Sequence, residues 1–238
     1  MERKKEVQAL PEFTAQTVAM MTTEHSSLQA GRFMTVSEAS GRSTLFIGTV
    51  SGALIAIAFT GQASQMGPAF FMFSLVLFPA LVLMGLFTFE RVLQAGIEDL
   101  IYARGINLLR HLYLQHAPQM QPYFILSAQD AGGHPLLKVG IHPSWWQIFL
   151  TTAGMIAFIT SMLVGVFVGL LLALFTVPLL VCLSAGIGLF LVSWGILQHY
   201  QWGQWQRREQ NLTLLFTTTG LWPVYRGRPP ASAAPPAA

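Results

Sequence analysis

Two long stretches of the chain contain no charged residue, and the first of them predicts two membrane crossings. Between Arg42 and Glu90 there is no Asp, Glu, Lys or Arg. Apolar residues dominate 44–61 and 69–89, and each run approaches the roughly 20 residues that cross a hydrocarbon core as a helix. The connection 62–68 is rich in residues that favour turns, including Gly and Pro. The pattern therefore predicts a tight transmembrane hairpin over 44–89.

The second uncharged stretch lies between Lys138 and Arg207 and predicts two further crossings. It is apolar over about 50 residues, which as one helix would be roughly 75 Å long and too long for a bilayer. The sequence Phe175-Thr176-Val177-Pro178 can end one helix and begin the next, because Thr caps helices and Pro fits the first turn. We therefore expect a third helix near 146–172 and a fourth near 177–199. A turn several residues earlier is the alternative, because Gly165 and Gly169 also permit one.

Helical periodicity continues beyond the first pair of crossings. Apolar residues recur at helical spacing from Leu93 to Leu112 until Pro118 stops the pattern. A weaker pattern predicts a helix over 15–42. We expect 15–42 and 90–116 to form an antiparallel helical stalk that continues the first hairpin.

Charges fall into register across this stalk. In a hairpin whose turn lies near residue 65, facing residue numbers sum to about 131. Arg32 then lies opposite Asp99, and Arg42 faces Glu90. Exposed ion pairs contribute only about 0–1 kcal/mol each, so they would set register more than strength. The alternative is that these charges are solvated and unpaired.

Charge position also predicts orientation. Four crossings put both termini and the 90–144 segment on one side, and all 13 Lys and Arg lie on that side. Positive residues are enriched on the cytoplasmic side of membrane proteins, so we expect both termini to be cytoplasmic in a bacterial inner membrane. The predicted organisation is a cytoplasmic helix over 1–43, hairpins at 44–89 and 145–199, a cytoplasmic helix and loop at 90–144, and a tail at 200–238 that is disordered from about 229.

Composition supports an all-α polytopic membrane protein. The chain has 238 residues, 53% hydrophobic and 10% charged, whereas soluble domains are about 25% charged. This balance excludes a soluble enzyme, a disordered protein and a collagen-like fibre. A single cysteine excludes an internal disulfide framework and a zinc site built from cysteines.

Two stripes of small residues at spacings of four predict close helix packing. Lipid is as apolar as Leu, so close backbone approach through small residues, rather than hydrophobicity, holds transmembrane helices together. The predicted packing residues are Gly48, Gly52 and Ala56 in the first helix and Ala157, Ser161, Gly165 and Gly169 in the third. The spacing leaves open whether these stripes pack within one chain or between copies.

The sequence offers no candidate chemistry. It has no phosphate-binding glycine loop and no HExxH, CxxC or GxSxG motif. Apart from Cys182, no ionisable residue lies well inside a crossing, which disfavours an ion-coupled transporter. We expect no catalytic, cofactor-binding or metal-binding residues.

Several segments resemble a group of uncharacterised bacterial integral membrane proteins. They are Thr23-Glu24-His25, Ser37-Glu38-Ala39-Ser40-Gly41-Arg42, Gly48-Thr49-Val50-Ser51, Phe89-Glu90-Arg91-Val92-Leu93-Gln94 and Ala103-Arg104-Gly105-Ile106-Asn107. The resemblance covers about residues 20–200 and implies a bacterial inner-membrane protein with no known activity. In organisation alone, the first half is similar to two-crossing bacterial defence effectors, from which the second pair of crossings departs.

Together these features favour a non-enzymatic scaffold or interaction protein that acts through its cytoplasmic helices. Its expected partners are the lipid bilayer, further copies of itself and a cytoplasmic protein, with no nucleic acid. The alternative function is an oligomeric pore or a membrane-disrupting effector.

Overall fold

The computed structural model describes residues 14–123, 151–175 and 177–218, and all the regular structure in these ranges is helical. Four of the helices are long and apolar enough to cross a membrane, which indicates a multi-pass membrane protein. They are α1 (Ala15–Ala63), α2 (Pro68–His116), α3 (Thr152–Leu174) and α4 (Leu179–Thr218), with a short 3₁₀ helix at Pro118–Tyr123 after α2.

Local sequence signals explain where these helices begin. The Thr14 side chain caps α1 by accepting a hydrogen bond from the backbone N–H of Thr17 at 3.2 Å. Thr151 caps α3 in the same way, through the N–H of Gly154 at 3.1 Å. Pro68 occupies the first turn of α2, where its missing N–H costs nothing.

A four-residue turn, Ser64–Gly67, joins α1 to α2. Gln65 and Met66 adopt left-handed backbone conformations, with φ of 48° and 57°, which cost roughly 1–2 kcal/mol per non-glycine residue. All four turn residues donate a backbone hydrogen bond; the shortest of these joins Gly67 N–H to the Ser64 carbonyl at 2.8 Å, and Met66 N–H donates to the Gly61 carbonyl at 3.0 Å. Such a short connection requires the adjoining ends of α1 and α2 to be neighbours.

Helices α1 and α2 each have 49 residues, so each is about 73 Å long. A hydrocarbon core is about 30 Å thick, so each helix is more than twice as long as the core is deep. Neither helix breaks where its apolar run meets the charged segment, between residues 43 and 44 or between residues 89 and 90. The third helix ends at Leu174 and the fourth begins at Leu179, so the helical structure is interrupted at the site predicted from Pro178.

The four helices pack in a row. Extensive contacts join α1 to α2, α2 to α3 and α3 to α4. Few contacts join α1 to α3 or α2 to α4. The buried core therefore lies between α1, α2 and α3. Its largest enclosed side chains are Phe46, Phe78, Leu93 and Ile156. Most of the surface of α4 over residues 179–208 is exposed, and so is the face of α1 turned away from α2.

Three sequence predictions fall outside the described residues. They concern the loop within 118–144 beyond Tyr123, the N-terminal part of the third crossing before Thr151, and the disordered tail from about 229.

Candidate functional site

The stalk contains an ion pair at the position given by its register. Arg32 Nε donates to Asp99 Oδ1 at 2.7 Å, and Arg32 Nη2 lies 3.5 Å from Asp99 Oδ2. This two-point contact joins α1 to α2 far from the turn that connects them. Its residue numbers sum to 131, so it defines the alignment of the two helices.

Arg42 and Glu90 are not paired, contrary to the register prediction. Arg42 Nε instead donates to Glu38 Oε1 at 2.9 Å, one helical turn earlier. Glu90 Oε1 accepts a hydrogen bond from Gln94 Nε2 at 3.0 Å, one turn later. Residues four apart on a helix are close neighbours, and for Arg42 and Glu90 these local partners take the place of the pairing between them.

Glu38 is the centre of a charge cluster at the edge of the apolar region. Its Oε2 accepts from Arg91 Nη2 at 2.8 Å, and its Oε1 accepts from Arg91 Nε at 2.9 Å in addition to Arg42. Arg91 Nη1 also lies 3.5 Å from Glu98 Oε1. The hydrogen bonds from Arg91 and then Arg42 lower the pKa of Glu38 from 4.5 to about 2. The same contact with Glu38 raises the pKa of Arg91. Glu38 therefore stays ionised and anchors both helices.

Two glycines let the stalk helices approach closely, a feature that sequence reasoning missed. A Cβ added to Gly31 would lie 3.0 Å from Cζ of Tyr102, and one added to Gly105 would lie 3.2 Å from a methyl group of Leu28. Each glycine thus receives a large side chain from the other helix. The register could have identified both contacts. The residue numbers 31 and 102, and likewise 28 and 105, sum to 133, which is close to the register value of 131.

The far end of the stalk is closed by a tyrosine. The Tyr113 hydroxyl donates to the backbone carbonyl of Met21 at 3.3 Å, and its ring lies beside His25, with ring centroids 6.4 Å apart. Burial raises the pKa of Tyr113. Contacts between α1 and α2 therefore extend along the whole described stalk.

The small-residue stripe of α3 packs within the chain. A Cβ added to Gly165 would lie 2.6 Å from the carbonyl oxygen of Gly186 in α4, and one added to Gly169 would lie 3.6 Å from the carbonyl oxygen of Cys182. Ala157 and Ser161 are fully buried. The glycines thus set the distance between α3 and α4, with Gly186 as the partner that sequence reasoning did not single out.

The stripe of α1 behaves differently. Gly48 and Gly52 are exposed, and a Cβ added to either would meet nothing within 4 Å. Ala56, the third predicted packing residue, is half-buried. Gly48 and Gly52 therefore lie on a face of α1 that no described part of the chain covers, whereas Ala56 is partly covered.

Gly85 is a further packing residue that sequence reasoning missed. A Cβ at this position would collide with the side chain of Thr160 and would lie 3.1 Å from the ring of Phe46. Gly85 lies in α2, Thr160 in α3 and Phe46 in α1. Three helices therefore meet at Gly85. The sequence prediction relied on small residues repeated at spacings of four, and a single glycine does not form such a pattern.

A wide apolar crevice runs along α3 and α4 and includes Gly165, Gly169 and Gly186 of their contact in its lining. Its volume is about 550 Å³, and its walls include Phe158, Met162, Leu183 and Phe190. Almost no polar surface lines it, so nothing in the walls would orient a polar ligand or favour one over another.

Buried glutamines tie α4 to the start of α3. Gln201 is fully buried, and its Nε2 donates to the Thr151 hydroxyl at 2.9 Å. Gln198, three residues earlier, is also buried, and its amide atoms have no hydrogen-bond partner among the described residues. The contact with Thr151 fixes the lateral position of α4.

Chemically, these arrangements support packing and ion pairing. Among residues 14–123, 151–175 and 177–218, no group of three or more His, Cys, Asp or Glu side chains could hold a metal ion. Comparisons with protein-family models, with curated proteins and with solved structures found no match to this chain.

Proposed function

We propose that this protein is a non-enzymatic scaffold or interaction protein of a bacterial cytoplasmic membrane. Its four apolar helices would form two transmembrane hairpins, at 44–89 and 145–199. The stalk, residues 15–42 and 90–116, would extend into the cytoplasm and bind a protein partner.

Charge supports this orientation. With four crossings, the stalk and both termini share one side, which carries all 13 Lys and Arg of the sequence. The turn Ser64–Gly67 and the break before Leu179, on the other side, carry none. Positive residues favour the cytoplasmic side.

Exposed apolar side chains on the stalk are the observation that carries the proposal. Phe33 is 74% exposed, Met34 70% and Met20 67%. These residues lie well before the apolar run that begins at residue 44, so water rather than lipid would surround them. Phe33 and Met34 adjoin each other on the helix, and adjoining large apolar side chains in water are typical of protein interaction surfaces. The ion pairs of the stalk leave this surface free, because Arg32 and Glu38 bond towards α2.

Site-specific photo-crosslinking in native membranes tests the proposal. A photoreactive phenylalanine analogue replaces Phe33, and the matched control places it at Glu24, an exposed position nine residues earlier and about 180° around the same helix. We expect discrete protein adducts from position 33 and at least fivefold fewer from position 24, identified by mass spectrometry. Equal adducts at both positions, or lipid adducts alone, would contradict a protein-binding stalk.

An oligomeric pore or membrane-disrupting effector is the alternative, and one observation favours it. The four helices form an open row, with α1 and α4 at its two ends. Copies of such a row can join into a larger assembly that encloses a channel. Phe46, Phe78 and Ile156 fill the space between the helices of one copy, so a channel would have to form between copies. Ion flux from liposomes that contain the purified protein distinguishes the two functions, because a scaffold gives no leak with or without added nucleotides.

A further inference from the structure

One face of α1 is exposed and uncharged along almost the whole helix. We call it the outer face, and its residues are spaced three or four apart from position 27 onward. All of them are exposed: Met20, Ser27, Ala30, Met34, Ser37, Gly41, Leu45, Gly48, Gly52, Ile55 and Phe59. The opposite face, which includes Thr35, Phe46 and Val50, is packed against the rest of the chain. None of the outer-face residues is charged. The four charged residues of α1 are Glu24, Arg32, Glu38 and Arg42.

Two independent features of the outer face indicate a protein cover. Within the apolar run, Gly48 and Gly52 leave an open, shallow surface on which another helix could approach the backbone. Lipid alone could cover that part. In the stalk, however, which the proposed function puts in water, the same face presents Met20 and Met34, and Phe33 adjoins Met34. A single cover for both parts must itself run from water into the bilayer.

A second copy of α1 meets this requirement. Copies inserted in one membrane have the same orientation, so two α1 helices related by a two-fold axis normal to the membrane run parallel. Gly48 then meets Gly48, and Met34 meets Met34, as in a self-complementary two-fold interface. No like charges oppose one another, because the outer face has none.

The size of the outer face fits a dimer interface. Large side chains bury about 60–120 Å² each, and aromatic ones more. The exposed Met, Leu, Ile and Phe residues, together with the small residues between them, would bury roughly 600 Å² per copy. The resulting total of roughly 1,200 Å² is at the lower end of stable interfaces.

We infer that the outer face of α1 is the contact surface of a parallel homodimer of this chain. The inference rests on the proposed function, in that it names a second copy as the partner of the stalk. It extends the same contact through the bilayer along Gly48 and Gly52.

Cysteine crosslinking tests this contact, since Cys182 is the only cysteine of the sequence. In a full-length Cys182→Ser background, Met34→Cys probes the stalk and Leu45→Cys probes the start of the apolar run. The matched controls are Val36→Cys and Ile47→Cys, at positions 54% and 41% exposed. Each control is two residues from its probe, about 200° around the helix. We expect oxidation in membranes to give at least tenfold more disulfide-linked dimer from the probes than from the controls. Equal yields, or none, would overturn the inference.

A second variant separates the symmetric contact from chance collisions. Gly48→Leu combined with Gly52→Leu has room within one copy but would hold two outer faces apart. The matched control is Gly188→Leu with Gly195→Leu, because those glycines of α4 also have open space around them. We expect the first pair to lower the Met34→Cys dimer yield at least tenfold and the control pair to leave it unchanged. Equal yields from the two pairs would overturn the inference.

The outcomes also separate this inference from the proposed function. Photo-adducts from position 33 with a different protein, without disulfide-linked dimers, would overturn the homodimer and leave a protein-binding stalk intact. Adducts of about twice the 26.2 kDa chain mass, together with dimers from the probes, would support both.

Discussion

The Gly165–Gly186 contact should control how firmly α4 is held, and Gly165→Ala tests this. The added methyl group would lie 2.6 Å from a backbone carbonyl oxygen, whereas ordinary contacts begin at 3.4 Å. A backbone atom cannot rotate away, so α3 and α4 must separate by about 0.8 Å. A gap of this size forfeits a quarter to a half of each dispersion contact across the interface. Overpacking typically costs about 1–3 kcal/mol, and we expect about 2 kcal/mol here.

Cys182 provides the assay, because it is buried in α4 beside Gly169. If labelling by N-ethylmaleimide requires α4 to move away from α3, a loss of about 2 kcal/mol raises the labelling rate about 30-fold. Gly188→Ala is the control, since its added methyl group meets nothing within 4 Å. Both variants gain the same helix propensity, so the difference between them isolates the collision. If Gly165→Ala is labelled no faster than Gly188→Ala, the tight contact does not hold α4 and the reasoning fails.

Three further predictions concern the stalk. Arg32→Asp and Asp99→Arg should each lower the thermal midpoint in detergent, by the equivalent of up to about 1 kcal/mol, and the double reversal should recover most of that loss. If the double variant is no more stable than either single one, the register is wrong. Glu38 has a pKa lowered from 4.5 to about 2, so its stabilising effect should be complete above pH 4.5 and disappear as the pH falls towards 2. A Glu38→Gln variant should lack that component of the pH profile, and an unchanged profile would argue against the cluster. Gly41→Ala should raise the midpoint by the equivalent of up to about 1 kcal/mol, because its Cβ has open space, whereas Gly31→Ala should gain less because its Cβ meets an aromatic ring at 3.0 Å. Equal gains would mean that the stalk helices do not pack closely at Gly31.

Apolar run length was enough to predict four helices able to cross a membrane, and the structure confirms them. Apolar run length is a strong signal because a segment in lipid must make all its backbone hydrogen bonds internally and present apolar side chains to the lipid. The two transmembrane hairpins, the cytoplasmic stalk and the orientation of the termini remain predictions. Each of them depends on where a membrane lies relative to the chain.

Side-chain partners were harder to predict than helices. The sum rule placed Arg32 opposite Asp99, where the structure also has them. The same rule failed for Arg42, because a carboxylate one turn away on its own helix was closer than Glu90. Register arithmetic counts positions across two helices and ignores such local competitors.

The two glycine stripes illustrate a second limit. Gly48-x-x-x-Gly52 and Gly165-x-x-x-Gly169 have the same spacing, yet only the second meets another helix of the chain. Spacing shows that a face is smooth, but it does not show which neighbour the face meets. That depends on how the helices are ordered in the row, which no local pattern encodes.

The unbroken course of α1 and α2 past residues 43 and 89 has a mechanical consequence. A helix that continues without a break acts as a lever, so movement at the free end of the stalk should also tilt the apolar part of α1, and that of α2 as far as Pro79, which lies inside the helix. The stalk portion of α1 is about 42 Å long, and a sideways displacement of about 5 Å at its end corresponds to a tilt of about 7°. Arg32–Asp99 and the Glu38 cluster couple the two levers, so the pair would tilt as one body.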